Sequence, residues 1–167
     1  DLQDAGLTEN IGISVYSPAV AIRAIQSQLI NIVQVPANIL DRRFEKEGVF
    51  QAAEERGKKI HIRSVFLQGL ILMDAKDLPQ HMAFAAPVIQ KLETLAVKYD
   101  MTRTALALCY IKLRYPECSV IFGAETATQI FENCQFWKLP VPDDLVQEAA
   151  EAFSDVEERI LNPTLWS

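Results

Sequence analysis

The chain has 167 residues, half of them apolar, and its 16 basic against 22 acidic side chains give a net charge of −6. That length and composition suit a single soluble globular domain with a real core and exclude a disordered chain; the acidic balance argues against a broad nucleic-acid-binding face but leaves room for a local anion site. The uncharged, mostly apolar stretch 64–73 is too short to cross a bilayer, and Asp1-Leu2-Gln3-Asp4 has neither the basic nor the apolar region of a signal peptide, so a cytoplasmic protein with no membrane partner is expected.

In chain order, "IGISVY" (11–16) is short, apolar and β-prone, and Ser17-Pro18 opens a helical stretch to about Gln28 with proline at a favourable first-turn position. "INIVQV" (30–35) reads as a second buried strand, followed by a loop "PANILDRRF" and a helix over 49–56 that Gly57 stops. "KIHIRSV" (59–65) is the third strand. An insertion-like region follows, then two strong helices, 86–99 and 102–113, with apolar residues at i, i+3, i+4 and i+7. "CSVIFG" (118–123) is the fourth strand; it leads into a helix over 126–136, and "VPDDLVQEAAEAF" supplies a closing helix with Pro142-Asp143-Asp144 at its positive end.

Strands apolar along their length, each followed by a helix, predict an α/β fold with a parallel sheet. In such folds the polar residues at the C-terminal strand ends face the ligand. Here those ends hold Ser14, then Gln34 and Asn38, then Arg63 and Ser64, and finally Gly123, Glu125 and Thr126, expected to converge on one rim. Cys109, Cys118 and Cys134 form no C-x-x-C pair and leave one odd thiol, which points to reduced structural thiols rather than a disulfide framework or zinc site. His61 alternates with Ile60 and Ile62 and reads as a layer residue, and His81 has no acidic or cysteine neighbour at metal spacing, so no metal is expected. Asp41-Arg42-Arg43 reads as a solvated salt-bridge turn, and Trp166 as a pocket wall or a packing anchor.

The four strand ends, in order, resemble the second half of the aldo-keto reductase family. "GLTENIGISVYSP" is similar to the family's fifth strand with its Gly-x-Ser ending, "VQVPAN" to the sixth, "IHIRSVFLQGLIL" to the seventh and its loop, and "SVIFGAETATQIFEN" to the eighth strand and the cofactor-binding helix. The resemblance covers residues 6–145. It implies a (β/α)8 TIM-type barrel of which this chain supplies about four units, a single domain forming the C-terminal half. It also implies NADPH, with NADH as the alternative, as cofactor for reducing a small carbonyl substrate to an alcohol. The family's catalytic Asp, Tyr, Lys and His lie on its first four strands and have no match here, Tyr16, Tyr99, Tyr110 and Tyr115 included. No catalytic residue is therefore assigned, and the chain is expected to be a fragment, inactive by itself, with Asp1-Leu2 ending the helix after the fourth strand.

By match, Ser14 and Gln34 face the nicotinamide carboxamide, although Val15 stands where the family usually has asparagine. Ser64, Phe66 and Gln68, in the loop after the third strand, lie along the pyrophosphate. Gly123 and Thr126 open a helix whose free N–H groups favour phosphate, Gln129 lies near the adenosine phosphate, and Glu132 and Asn133 lie at adenine. Glu125 and Thr126 occupy the turn where NADPH-preferring members often carry a basic residue. Arg63 replaces a stacking tyrosine. Its planar guanidinium suits stacking on a ring, a two-fold hydrogen bond to an anionic group, or a rim ion pair. The competing reading is a non-catalytic half barrel or nucleotide- or anion-binding module acting by association. Its open sheet edges would be covered by a missing N-terminal half or by self-association.

Overall fold

The computed structural model describes residues 2–166. Their packing divides into two compact units: one comprises the chain up to Ala37, Arg42–Arg63 and Glu117–Ile121, the other Asn38–Asp41, Ser64–Pro116 and the chain from Phe122 on.

The first unit holds the sheet. Strands β1 (Gly12–Ser14), β2 (Ile32–Pro36), β3 (Lys59–Arg63) and β4 (Ser119–Val120) lie in the order β1-β2-β3-β4, every pair parallel. Helix α1 (Pro18–Gln26) crosses from β1 to β2, and α2 (Arg43–Lys46) and α3 (Val49–Glu55) cross from β2 to β3. The parallel α/β order expected from the sequence is thus present. Gly12 permits the first pairing, since a Cβ there would sit 2.9 Å from the Ile32 carbonyl oxygen. Gly57, at φ +62°, ends α3 in the left-handed conformation that only glycine adopts without cost. Lys58 ties the α1–β2 connection down by donating to the carbonyls of Ser27 (3.0 Å) and Ile30 (2.6 Å).

The strands differ from the uniformly apolar reading. Val33, Val35, Ile60 and Ile62 are buried with Ala21, Ile25, Phe44 and Val49, each such aliphatic side chain being worth about 2 kcal/mol of burial. The alternate positions carry Gln34, His61 and Arg63, all half-buried. Register pairs Ser14 with Gln34, Gln34 with His61 and His61 with Ser119, so one face of the sheet bears a polar row across all four strands. Among the described residues the outer edges of β1 and β4 have no strand partner. Ile13 and Ile121 on those edges are exposed.

Three further expectations are corrected. The fourth strand is two residues rather than six: after Ile121 donates its N–H to the Ile62 carbonyl (2.8 Å) the chain leaves the ladder. The loop after β2 contains the helical turn α2, which buries Phe44. Asp41 is buried rather than solvated; its N–H donates to Asn38 Oδ1 at 3.0 Å, while Arg42 pairs with Glu45 at 3.0 Å.

The second unit is helical. Helix α5 (Arg103–Arg114) is apolar on every side over 105–111, all seven residues buried, which makes it the centre of this unit. Helix α4 (Ala86–Lys98) adds Ile89 and Leu92, and α7 (Leu145–Ala152) adds Leu145 and Ala149. Helix α6 (Ala127–Phe136) and the short α8 (Glu158–Leu161) complete it. Thr102 caps α5 by accepting the Ala105 N–H (3.1 Å), and Lys112 holds the far end of α6 through the carbonyls of Trp137 (2.9 Å) and Leu139 (2.7 Å). The closing helix starts at Leu145, later than the Pro142 start expected. The region after β3 is no insertion: its 3-10 turns Leu67–Leu72 and Gln80–Ala85 place Leu67, Leu70, Ile71, Met82 and Ala85 in the core. The helix end expected at Asp1-Leu2 falls outside the described residues at Asp1, and Leu2 lies in a turn.

Candidate functional site

In the first unit, Ser14 and Gln34 are register partners on adjacent strands, which sets their side chains on one face. Ser14 Oγ donates to Gln34 Oε1 at 3.0 Å. Arg63, at the end of β3, reaches back to β1: its Nε donates to Ser14 Oγ at 3.2 Å and its Nη2 to the Val15 carbonyl at 3.2 Å. The guanidinium carbon lies 4.2 Å from the centroid of the Tyr16 ring, within the range of a cation–π contact. The ring beside the guanidinium is thus one of the chain's own, Tyr16, a contact distinct from the nicotinamide stacking expected of Arg63 from the sequence. Val15 is itself buried, so at the position where asparagine was expected the backbone carbonyl, not a side chain, meets Arg63. Tyr16 was missed by sequence reasoning because its role depends on an arginine 47 positions away; a bare aromatic after a strand end carries no signal by itself.

In the second unit, the segment after β3 is conformationally unusual. Ser64, Leu67 and Gln68 have φ of +61°, +47° and +52°, and Gly69 follows at +87°. Three non-glycine residues in the left-handed region cost about 1–2 kcal/mol each, and such strain persists only where surroundings enforce it. Asn38 enforces it at the start, donating through Nδ2 to the Ser64 carbonyl at 3.1 Å. Arg103 enforces it at the end, donating to the carbonyls of Met73 (2.6 Å) and Leu72 (3.0 Å) and pairing with Asp74 (2.6 Å) and Glu93 (3.3 Å). Gln68 is exposed, and Phe66 meets Phe122 edge-to-face at 6.5 Å.

The start of α6 is in the same unit. Thr126 is its N-cap, Oγ1 accepting the Gln129 N–H at 3.2 Å, and Gln129 Oε1 turns back to accept the Glu125 N–H at 2.7 Å. The N–H groups of Ala127 and Thr128 are ones the helix cannot satisfy internally. Gly123 faces open space: a Cβ there would meet nothing within 4 Å. Gln129 and Glu132 are exposed, whereas Asn133, on the same stretch, is buried.

His61 belongs to the polar row, His81 is exposed, and among the described residues no three His, Cys, Asp or Glu side chains group to hold a metal. Trp166 donates from Nε1 to the Arg159 carbonyl at 3.0 Å. The three cysteines are free, Cys109 buried and Cys134 exposed, so the structural role expected of all three does not extend to Cys134. Burial, then Glu117, pushes the Cys118 thiol up to about 11. Tyr99, at the end of α4, has its hydroxyl pushed above the usual range by burial and then by Asp144, which makes it a poorer acid.

A family profile for the aldo/keto reductase family matches residues 1–153. This chain belongs to that family. Among solved structures it is similar to aldo-keto reductase AKR11C1 from Bacillus halodurans in its apo form, at 24% identity and TM-score 0.75, covering 96% of this chain and 57% of that one. The holo form of the same protein gives 22% identity and TM-score 0.72 with 96% and 56% coverage. A thermostable aldo-keto reductase, Tm1743, in complex with the inhibitor epalrestat gives 22%, 0.67, 90% and 51%. No curated protein matches. The chain therefore spans about half the length of the aldo-keto reductases it resembles, and its four parallel strands are part of the (β/α)8 barrel architecture.

Proposed function

We propose that this chain is the cofactor-holding part of an NAD(P)H-dependent aldo-keto reductase that reduces a small carbonyl compound to an alcohol. The observation that carries the proposal is the Ser14–Gln34 pair at adjacent strand ends, locked by Arg63. Two features of the second unit support it: the open space at Gly123 and the unsatisfied N–H groups opening α6 suit a phosphate. The donor chemistry of these residues fits a dinucleotide. When bound, the cofactor supplies the hydride. Each unit is proposed to contribute its own donors: in the first, Gln34 for the nicotinamide carboxamide; in the second, Ser64, Phe66 and Gln68 for the pyrophosphate, Gly123, Thr126 and Gln129 for the adenosine phosphate, and Glu132 and Asn133 for adenine. NADPH is the proposed form, although the turn at Glu125 brings no basic side chain, so NADH is the competitor.

In this proposal the proton donor and its helpers belong to the family's first four strands, so this chain alone binds cofactor without turnover. The unpartnered edges of β1 and β4 favour a partner, either those strands or a second copy. The three free thiols suit a reducing, cytoplasmic setting. The test is loss of reduced-nicotinamide absorbance with a panel of aldehydes and ketones, comparing NADPH with NADH. Turnover with any of them supports the reading; cofactor binding without turnover by the whole protein favours the binding-module alternative.

A further inference from the structure

We infer that the open face of the four-stranded sheet is a docking surface for acidic β-structure: a partner strand that presents carboxylates opposite Lys59 and His61, and not a second copy of this chain. This concerns the first unit alone and is independent of the cofactor reading.

Side chains alternate between the two faces of a strand. Val33, Val35, Ile60 and Ile62 are buried, so Gln34, Lys59, His61 and Arg63 belong to the opposite face. On that face Lys59 and Ser119 are exposed and Gln34 and His61 half-buried. None of the four strands contains an aspartate or a glutamate. Glu117, two residues before β4, is exposed and among the described residues forms no ion pair with Lys59. Arg63 is held at the rim by Ser14 and Val15, so Lys59 and His61 are the groups that a cover must satisfy. Burying an ammonium without an acceptor is costly, which excludes an apolar lid. Alternate positions on a strand stand about 7 Å apart, and a facing strand with carboxylates at that spacing meets both groups. A second copy fails on charge, because a two-fold contact through this face sets the row of Lys59, His61 and Arg63 against itself. The margins of the face are the edges of β1 and β4, which have no strand partner among the described residues, and there Ile13 and Ile121 are 41% and 44% exposed. Strands that join these edges and curl over the open face bring their alternate side chains against it.

The test is fluorescence anisotropy at low salt with labelled strand peptides of equal length in which valine alternates with glutamate, glutamine or lysine. The wild-type chain is expected to bind the glutamate peptide about tenfold more tightly than the glutamine peptide, the worth of one charge-assisted contact, and the lysine peptide least. The net charge of −6 works against that order, so the order reports the local face. Lys59→Glu, at an exposed position, is expected to exchange the places of the glutamate and lysine peptides, whereas Lys91→Glu, an equal change of charge at an exposed position of α4, leaves them as they are. Sedimentation equilibrium is expected to find Lys59→Glu more self-associated than wild type, because the new carboxylate faces His61 and Arg63 of the other copy. Equal binding of the glutamate and glutamine peptides, or binding of neither, overturns the inference. So does an effect of Lys91→Glu as large as that of Lys59→Glu, or self-association of wild type equal to or above that of Lys59→Glu. None of these outcomes bears on NADPH binding, which is measured separately.

Discussion

Asn38 and Ser64 are joined across 26 positions of sequence by one hydrogen bond, Nδ2 to the Ser64 carbonyl at 3.1 Å. The same asparagine accepts the N–H groups of Leu40 (2.9 Å) and Asp41 (3.0 Å) on Oδ1, and it is fully buried. One side chain therefore folds the turn after β2 and anchors the strained segment after β3. Asn38→Ala leaves buried backbone groups unsatisfied and is expected to cost about 2 kcal/mol in urea denaturation. Asn38→Asp keeps the two acceptor contacts and loses the donor, so it should fall between alanine and wild type.

Two glycines separate backbone strain from ligand approach. Gly69→Ala adds a Cβ into open space but at φ +87°, so it should lower stability by about 1–2 kcal/mol through the backbone alone. Gly123 also faces open space but needs no left-handed conformation. Gly123→Ala is expected to leave the thermal midpoint within error and to weaken NADPH binding, because the added methyl occupies the space proposed for phosphate. Calorimetry and a binding titration on the same samples check both.

The cysteines give a pH test. The Cys118 thiol is raised from 9.0 to about 11 by burial and by Glu117, so the folded chain keeps its proton where the unfolded chain loses it. Its contribution to stability is complete below about pH 9 and is lost as pH rises toward 11. Urea midpoints should fall over that window, and Cys118→Ser should flatten the fall. At pH near 8, mass mapping after brief iodoacetamide treatment is expected to find Cys134 modified first, since it is exposed, and Cys109 last, since it is buried and burial raises its thiol too.

Arg103 is the other clamp on the strained segment. Its guanidinium satisfies two carbonyls at the end of the Leu67–Leu72 turn and pairs with Asp74 and Glu93. Arg103→Met should cost about 2 kcal/mol and open the chain near Asp74 to limited proteolysis. Lys58, which closes a different connection, provides the control: Lys58→Met should leave that cleavage site protected.

Much of the framework was legible in the sequence. Strands β2 and β3 and helices α4 and α5 lie within one or two residues of the expected bounds, because each has a clean period and sits beside a local boundary signal such as Gly57 or Thr102. The segment 64–85 was not legible: positive φ at Ser64, Leu67 and Gln68 leaves no trace in residue type, and short 3-10 turns have no period. The burial of Asp41 depends on the Asn38 turn, not on composition. The role of Arg63 was open for the same reason, since its partners Ser14, Val15 and Tyr16 lie at least 47 residues earlier and only the register of β1 on β2 brings them to it. Ser14 and Gln34 could be named in advance.

The most direct measurement is an isothermal titration of the purified protein with NADPH, repeated for Gln34→Leu and for Gln129→Ala. The account predicts saturable one-to-one binding, weakened by each substitution at its own end of the cofactor. Absence of saturation with wild type, or equal affinity for wild type and both variants, would contradict the assignment of this chain as the cofactor-holding half.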